Sequence, residues 1–403
     1  MLRLLFIVVA LELFLGGGGR LWDLGPVSLR MLLFTGTLGL MLFPQFWRRV
    51  GDDAGLAYGM VALFLVVHLP AVFVGLARGV EPGVVFGEIQ PMLYWLMAPF
   101  FAQVLSGQDN VVLTAKLVRG AGLLLAVAYL VALVAILTGY VDFLAAYRTL
   151  NDTGEFFFRG GQGLFVYKGF LYLCIALVFF VAIPGRLKPL TIALIGAALL
   201  LTLTRGFILS TGAALLMLLW ATGRKKLLAA FVIGGALAAL ALALASLSQG
   251  SILVRTDTGV SNAIRFKDIN FMLANVDKLT LFTGHGFGSY ISGDRLNIEN
   301  SYLWIWWKTG IPGLLFWLAP LLVCILAFKR IPAASRSFPY ACAYFFSVVL
   351  IYMQTATNPY LQNPIGLSFL IMATFSLRTL ARREAGTATE PAPAAASGGR
   401  SDG

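Results

Sequence analysis

The chain has 403 residues, of which 59% are hydrophobic and only 12% charged, with a formal net charge of +12. A soluble globule carries about a quarter charged residues, so this composition excludes a water-soluble domain and points to a protein dissolved in a bilayer. Long Leu/Ala/Val runs in place of short alternating segments exclude a β-barrel, and basic residues scattered over loops form no single face for nucleic acid.

Apolar runs at or near the spanning length of about 18 residues recur along the whole chain. Predicted spans lie near 2–18, 27–46, 56–77, 84–106, 112–138, 164–183, 187–205, 206–222, 226–247, 300–327, 337–355 and 361–380. The first run, Leu4–Leu15, ends in GGGGR without a small-x-small cleavage site and reads as a span, not a cleaved leader. The expected fold class is therefore all-α: a polytopic membrane protein of about twelve transmembrane helices.

Counting sides from a cytoplasmic N-terminus groups Arg48/Arg49, Lys116/Arg119, Arg186/Lys188, Arg224/Lys225/Lys226, Lys329/Arg330/Arg336 and Arg378/Arg382/Arg383 on the inside. The opposite short loops hold little beyond Arg20, Arg30 and Arg78. Basic residues retained on one side are the mark of cytoplasmic loops, so both termini are predicted inside. Two longer loops, 140–163 and 248–299, are then predicted periplasmic, the second lying between spans nine and ten and containing an amphipathic stretch, Asn262–Leu279. Residues 1–383 make the expected membrane domain, and 384–403, rich in Ala, Pro, Gly and Ser, the expected disordered cytoplasmic tail. No internal repeat stands out, which disfavours inverted-repeat transporters.

Cys174, Cys324 and Cys342 lie in apolar runs at no metal-ligand spacing, and the two histidines belong to no metal motif. Neither a metal nor a cofactor is predicted. Charges within spans are costly and mark function by default; here they are Glu12, Glu88, Lys168, Arg205 and Lys308, all mapping to outer halves. Snorkelling serves Glu12 and Lys168 taken singly. Together the five predict a polar cavity open to the outer leaflet, suited to a lipid-tailed substrate with an anionic head. Arginine forks are the suitable partners for a pyrophosphate, and Arg205, Arg265 and Arg295 are the candidates. A translocation path would need polar groups in the inner halves too.

The densest polar segment is Gly284–Gly313, GHGFGSYISGDRLNIENSYLWIWWKTGIPG. Its Gly284, Gly286 and Gly288 read as a loop turn, since no strand precedes them. His285 between them is a candidate base. Trp304, Trp306 and Trp307 read as an interfacial aromatic belt.

LTLTRGFILSTGAALLMLL (Leu201–Leu219) resembles the Ser/Thr-Arg-Gly segment of the bacterial O-antigen polymerase and O-antigen ligase family. Arg265 ahead of LTLFTGHGFGSY resembles the family's loop pattern, and Asn300, Gly310 and Gly313 keep the spacing of its strongest motif. The resemblance implies a GT-C-like fold in the bacterial inner membrane. It also implies an inverting, metal-independent transfer of glycan from a polyprenyl-diphosphate-linked oligosaccharide at the periplasmic face. Membrane lipid and a chain-length regulator protein are the other implied partners. Glu299 stands where ligases carry histidine, so a polymerase of O-antigen, capsule or exopolysaccharide is implied, with ligase and transporter as alternatives. The implied catalytic groups are Glu299 as base and Arg205 and Arg265 on the leaving diphosphate. His285, Arg295, Asn300, Tyr302 and Lys308 are implied to bind substrate, and Gly284, Gly286, Gly288, Gly310 and Gly313 to shape the motif.

Overall fold

A computed structural model describes residues 2–19, 22–24, 27–43, 46, 53–151, 153–158, 165–185, 188–234, 258–291 and 295–389. Expectations that fall on Arg20, Arg48, Arg49, Arg186, 235–257 and 390–403 lie outside these residues. Helices follow the predicted spans closely: α1 (Leu2–Leu15), α2 (Leu29–Met41), α3 (Ala54–Ala77), α4 (Pro82–Ile89), α5 (Ala98–Val104) and α6 (Gln108–Leu137). After a short surface helix α7 (Phe143–Asn151) come α8 (Leu171–Ala182), α9 (Lys188–Leu201) and α10 (Arg205–Ala221). The large loop contributes α11 (Thr258–Ala274) and α12 (Lys278–Thr283), and α13 (Ser301–Lys329), α14 (Phe338–Gln354) and α15 (Pro364–Thr389) complete the chain. Residues 225–234 are also helical.

Five segments are long and apolar enough to cross a membrane by length and composition: Ala54–Ala77, Pro82–Val104, Gln108–Leu137, Ser301–Lys329 and Pro364–Gly386. Other apolar helices are shorter, α9 having 14 residues, or about 21 Å against a hydrocarbon core of about 30 Å. The fourth predicted span is not one continuous α-helix. Between α4 and α5 it tightens into a 3₁₀ helix, Gln90–Met97, with Pro91 and Pro99 each near the start of a piece. A proline lacks the N–H that continues an α-helical ladder, which accounts for both breaks. The sixth predicted span also starts differently: Phe165–Tyr167 is a strand paired antiparallel with Phe156–Phe158. The last helix runs past Glu384 to Thr389.

Burial separates a central layer from a lipid-facing one. Ten consecutive residues of α8, Leu171–Phe180, are buried, and α8 packs against α6, α9, α10 and α14. On α13, Leu315, Leu318, Leu322 and Leu326 are exposed while Phe316, Trp317, Pro320 and Cys324 are buried. Three-to-four-residue spacing puts these sets on opposite helix faces. In a bilayer the leucine stripe faces acyl chains at no cost.

Residues that the loop-charge pattern assigns to one side do meet at one end of the bundle. Asp53 accepts from Arg378 Nε (2.6 Å) and Arg382 Nη2 (2.5 Å). Ser335 donates to Glu384, and Thr379 to the carbonyl of Leu105. The polar groups of Gly284–Gly313 are at the other end.

Candidate functional site

The Gly-rich turn is a wedge between two helices. Inside α13, Gly310 leaves helical geometry at φ 67°. Pro312 has no N–H to bond back to the carbonyl of Lys308, so the kink frees acceptors. The turn takes them: His285 N–H donates to Trp307 O (2.7 Å) and Gly286 N–H to Lys308 O (3.0 Å). On the other flank Phe287 N–H donates to Ala71 O of α3 (3.0 Å). Gly284, at φ 70°, lies so close that a Cβ would overlap the carbonyl of Lys308, and only glycine adopts that backbone without strain. Gly313 packs likewise onto Thr309.

Lys308 does not line a cavity. It is wholly buried, and its Nζ donates to Glu88 Oε1 (2.8 Å) and to Ser289 O (2.6 Å). Glu88 Oε2 accepts from Gly288 N–H. Opposite charges that find each other and one backbone bond apiece avoid the cost of isolated burial, so this pair bolts the turn to α4 and α13. Glu12 is used in the same way, accepting from Arg30 Nε at 2.8 and 3.0 Å in a shielded pair. Lys168 Nζ lies 5.6 Å from the ring centroid of Phe157. The convergence of five intramembrane charges on one cavity is therefore corrected. Four of the five have local partners, and Arg205 alone is exposed without a partner among the described residues.

Other predicted binding residues also belong to the frame. Asn300 caps α13, its Oδ1 accepting from Leu303 N–H (3.1 Å), which satisfies a free donor of the first turn. Tyr302 OH donates to Tyr352 O (2.6 Å). Arg295 pairs with Asp268 (2.7 Å), tying the loop to α11. Trp304 and Trp307 are buried and form no surface belt. His285 stacks on Trp307 with ring centroids 3.6 Å apart and 10° between planes. Its Nε2 lies 3.2 Å from Asn275 O; a carbonyl only accepts, so Nε2 carries the proton. Nδ1 is then the basic nitrogen, and it is buried without a partner. Burial lowers the His285 pKa, opposed by the bond to Asn275.

Three charged candidates stay open. Arg265 Nε donates to Glu299 Oε2 (3.1 Å), with the adjacent Nη2 also in contact, and both side chains are about half exposed at 45% and 53%. Among the described residues, an arginine fork holds the half-exposed Glu299 carboxylate. Arg205, also exposed, opens α10.

A turn missed in the sequence reading joins these groups. Ser301 N–H donates to Thr355 O (3.1 Å), beside Glu299 and Asn300. Around Gly206, next to Arg205, a Cβ would meet Thr357 Oγ1 at 2.6 Å, Gln354 Nε2 at 3.0 Å and Asn358 Nδ2 at 3.3 Å. The 354–358 turn thus links Arg205 to the Glu299–Arg265 pair. QTATNP at the junction of the last two predicted spans was the signal available for it.

Residues 190–318, which contain Arg205, Arg265 and Glu299, match the family described as O-antigen ligase. Over 385 residues the chain is 29% identical to an O-antigen polymerase of Shigella flexneri, covering 92% of this chain and 94% of that protein. These matches bear out the resemblance read from the motifs.

Proposed function

We infer that this protein is a membrane glycosyltransferase of the O-antigen polymerase type, joining lipid-linked glycan repeat units. What supports the reading is near full-length similarity to an O-antigen polymerase, together with exposed Arg205, Arg265 and Glu299 connected through one turn. The donor is a polyprenyl-diphosphate-linked oligosaccharide and the site faces the periplasm from the inner membrane, with about twelve spans and both termini inside.

In this mechanism an acceptor hydroxyl attacks the anomeric carbon of the donor from the face opposite its diphosphate. The carbon–oxygen bond to diphosphate breaks, so configuration inverts. Arg205 and Arg265 take up the charge growing on the leaving oxygens, a stabilisation larger in the transition state than in the ground state. Arg265 is held by Glu299 beforehand. An arriving diphosphate competes for that guanidinium and frees the carboxylate to accept the hydroxyl proton. Ligase activity is the second reading, favoured by the family description matched at 190–318.

The test is to reconstitute the full chain with polyprenyl-diphosphate repeat units, with and without a lipid acceptor. A ladder of lengthening carrier-linked glycan is expected. Glycan found only on the lipid acceptor would establish the ligase reading, and failure of both the polymerase and ligase products would overturn the enzyme assignment.

A further inference from the structure

Three cations meet where α8 ends. The helix stops at Ala182, two positions before Pro184, and the last carbonyls of a helix have no partner within it. Val181 O is one of these, and it accepts from both Lys188 Nζ (2.7 Å) and Arg224 Nη1 (2.8 Å). Arg119 of α6 reaches the same place, its guanidinium carbon 4.4 Å from the ring centroid of Phe180. Its Nη2 lies 2.9 Å from where a Cβ on Gly185 would stand. Tertiary packing assembles the cluster, since α6, α9 and α10 all flank α8.

Capping the end of α8 accounts for the two hydrogen bonds but not for the charge. A helix C-terminus carries about half a negative charge, against three full positive ones. Arg119 and Arg224 both repel the Lys188 ammonium, and among the described residues no carboxylate pairs with any of the three. Arg119 donates no hydrogen bond among these residues, so its fork is unspent. All three side chains are only half-buried, and a ligand can reach them. Their border is apolar and exposed: Leu190 follows Lys188 on α9, and Trp220 and Leu227 flank Arg224, with exposures of 68%, 78% and 54%. A tryptophan so placed sits naturally at headgroup depth. A free phosphate would use the cations alone, whereas a phospholipid uses the cations and the apolar border together.

We propose that Arg119, Lys188 and Arg224 form a binding site for the headgroup of an anionic membrane phospholipid, with its phosphodiester on the cations and its acyl chains along α9 and α10. Basic pockets between membrane helices are suited to such headgroups. The planar fork of Arg119 holds two phosphate oxygens at once, and lysine adds a compact point charge. The lipid relieves the repulsion among the three cations and ties α6 to α9 and α10. A ligand that binds only this folded arrangement stabilises it. The site is independent of the glycosyltransferase reading. On the proposed sidedness the lipid comes from the cytoplasmic leaflet.

The experiment uses the purified full-length protein, stripped of lipid in detergent and titrated with phosphatidylglycerol. Phosphatidylethanolamine, which has a phosphodiester but no net charge, and inorganic phosphate are the controls. The readouts are lipid retained per protein by native mass spectrometry and the rise in thermal midpoint. Phosphatidylglycerol is expected to be retained and to raise the midpoint, and neither control should do so. Arg119→Gln, which removes the fork without removing a bond to the end of α8, and Lys188→Gln should each weaken retention about tenfold and shrink the rise. Lys116→Gln, a neutralisation at an exposed position of α6, should behave as wild type. Midpoints without lipid identify a variant that has lost its fold. If Arg119→Gln is one, Arg119→Lys provides the test, with weaker retention expected because the fork is lost while the charge stays. Equal protection by phosphatidylethanolamine or by inorganic phosphate overturns the site, as does undiminished retention in the folded Arg119 and Lys188 variants. Equal weakening by Lys116→Gln also overturns it, since a diffuse positive surface would then account for the binding.

Discussion

Lys308 and Glu88, 220 positions apart in sequence, form an ion pair of 2.8 Å in which the lysine is fully shielded and the carboxylate nearly so. This pair holds the Gly-rich turn against α4 and α13, and the exposed Arg265–Glu299 pair lies on the loop that the turn anchors. A buried pair is evidence about position more than about net stability, since desolvation offsets much of the attraction.

Removing one partner is therefore expected to be far worse than removing both. Lys308→Met alone should destabilise the protein by about 3–5 kcal/mol by leaving Glu88 uncompensated. Lys308→Met with Glu88→Gln should recover part of the loss. Thermal midpoints in one detergent compare the three proteins; equal damage from single and double variants would argue against a coupled pair.

The sidedness proposed from the loop charges predicts that reporters fused at Gly259 and at the C-terminus report opposite sides of the membrane. Both on the same side would remove the basis for a periplasmic site.

Arg205→Lys is expected to lose most of its polymerising activity, because an ammonium keeps the charge but not the planar fork that binds two oxygens. The comparison is glycan length in cells at matched membrane abundance. Normal length would make Arg205 a mere interfacial charge.

Glu299→Gln should reduce turnover by about 10²–10⁴-fold if the carboxylate is the base, while His285→Ala should act chiefly on folded abundance. The buried Nδ1 and the stacking on Trp307 are the reasons for that division. Rates per folded molecule separate the two effects. A full rate from Glu299→Gln would mean that positioning and diphosphate stabilisation carry the reaction without a side-chain base.

His285 also sets a pH dependence. Its pKa is held below the ordinary imidazole value by burial, so between the folded pKa and about 6.5 the unfolded chain binds more protons than the native one. Stability should be unaffected by this group above that range and should fall as pH drops through it. Wild type is expected to lose more of its thermal midpoint between about pH 7.5 and about pH 5.5 than His285→Gln does, in proportion to this one linked proton. Parallel pH profiles for the two proteins would contradict the assignment.

Much of the architecture is legible in the sequence because a bilayer imposes one local rule on it. Each spanning helix must satisfy its own backbone and present apolar side chains, so a run such as Ala54–Ala77 announces itself without knowledge of its neighbours. The family motifs are likewise local, and they pointed to Arg205, Arg265 and Glu299. Pairing is not local. That Lys308 meets Glu88, that Glu12 meets Arg30, and that Gln354 turns toward Gly206 depends on how helices far apart in the chain come together. An intramembrane charge reads the same in sequence whether it lines a cavity or closes a salt bridge, because its energetic cost demands a partner without naming one. Tertiary packing supplied the partners, and in doing so it set Lys308 in a buried pair with Glu88 and the 354–358 turn against Gly206.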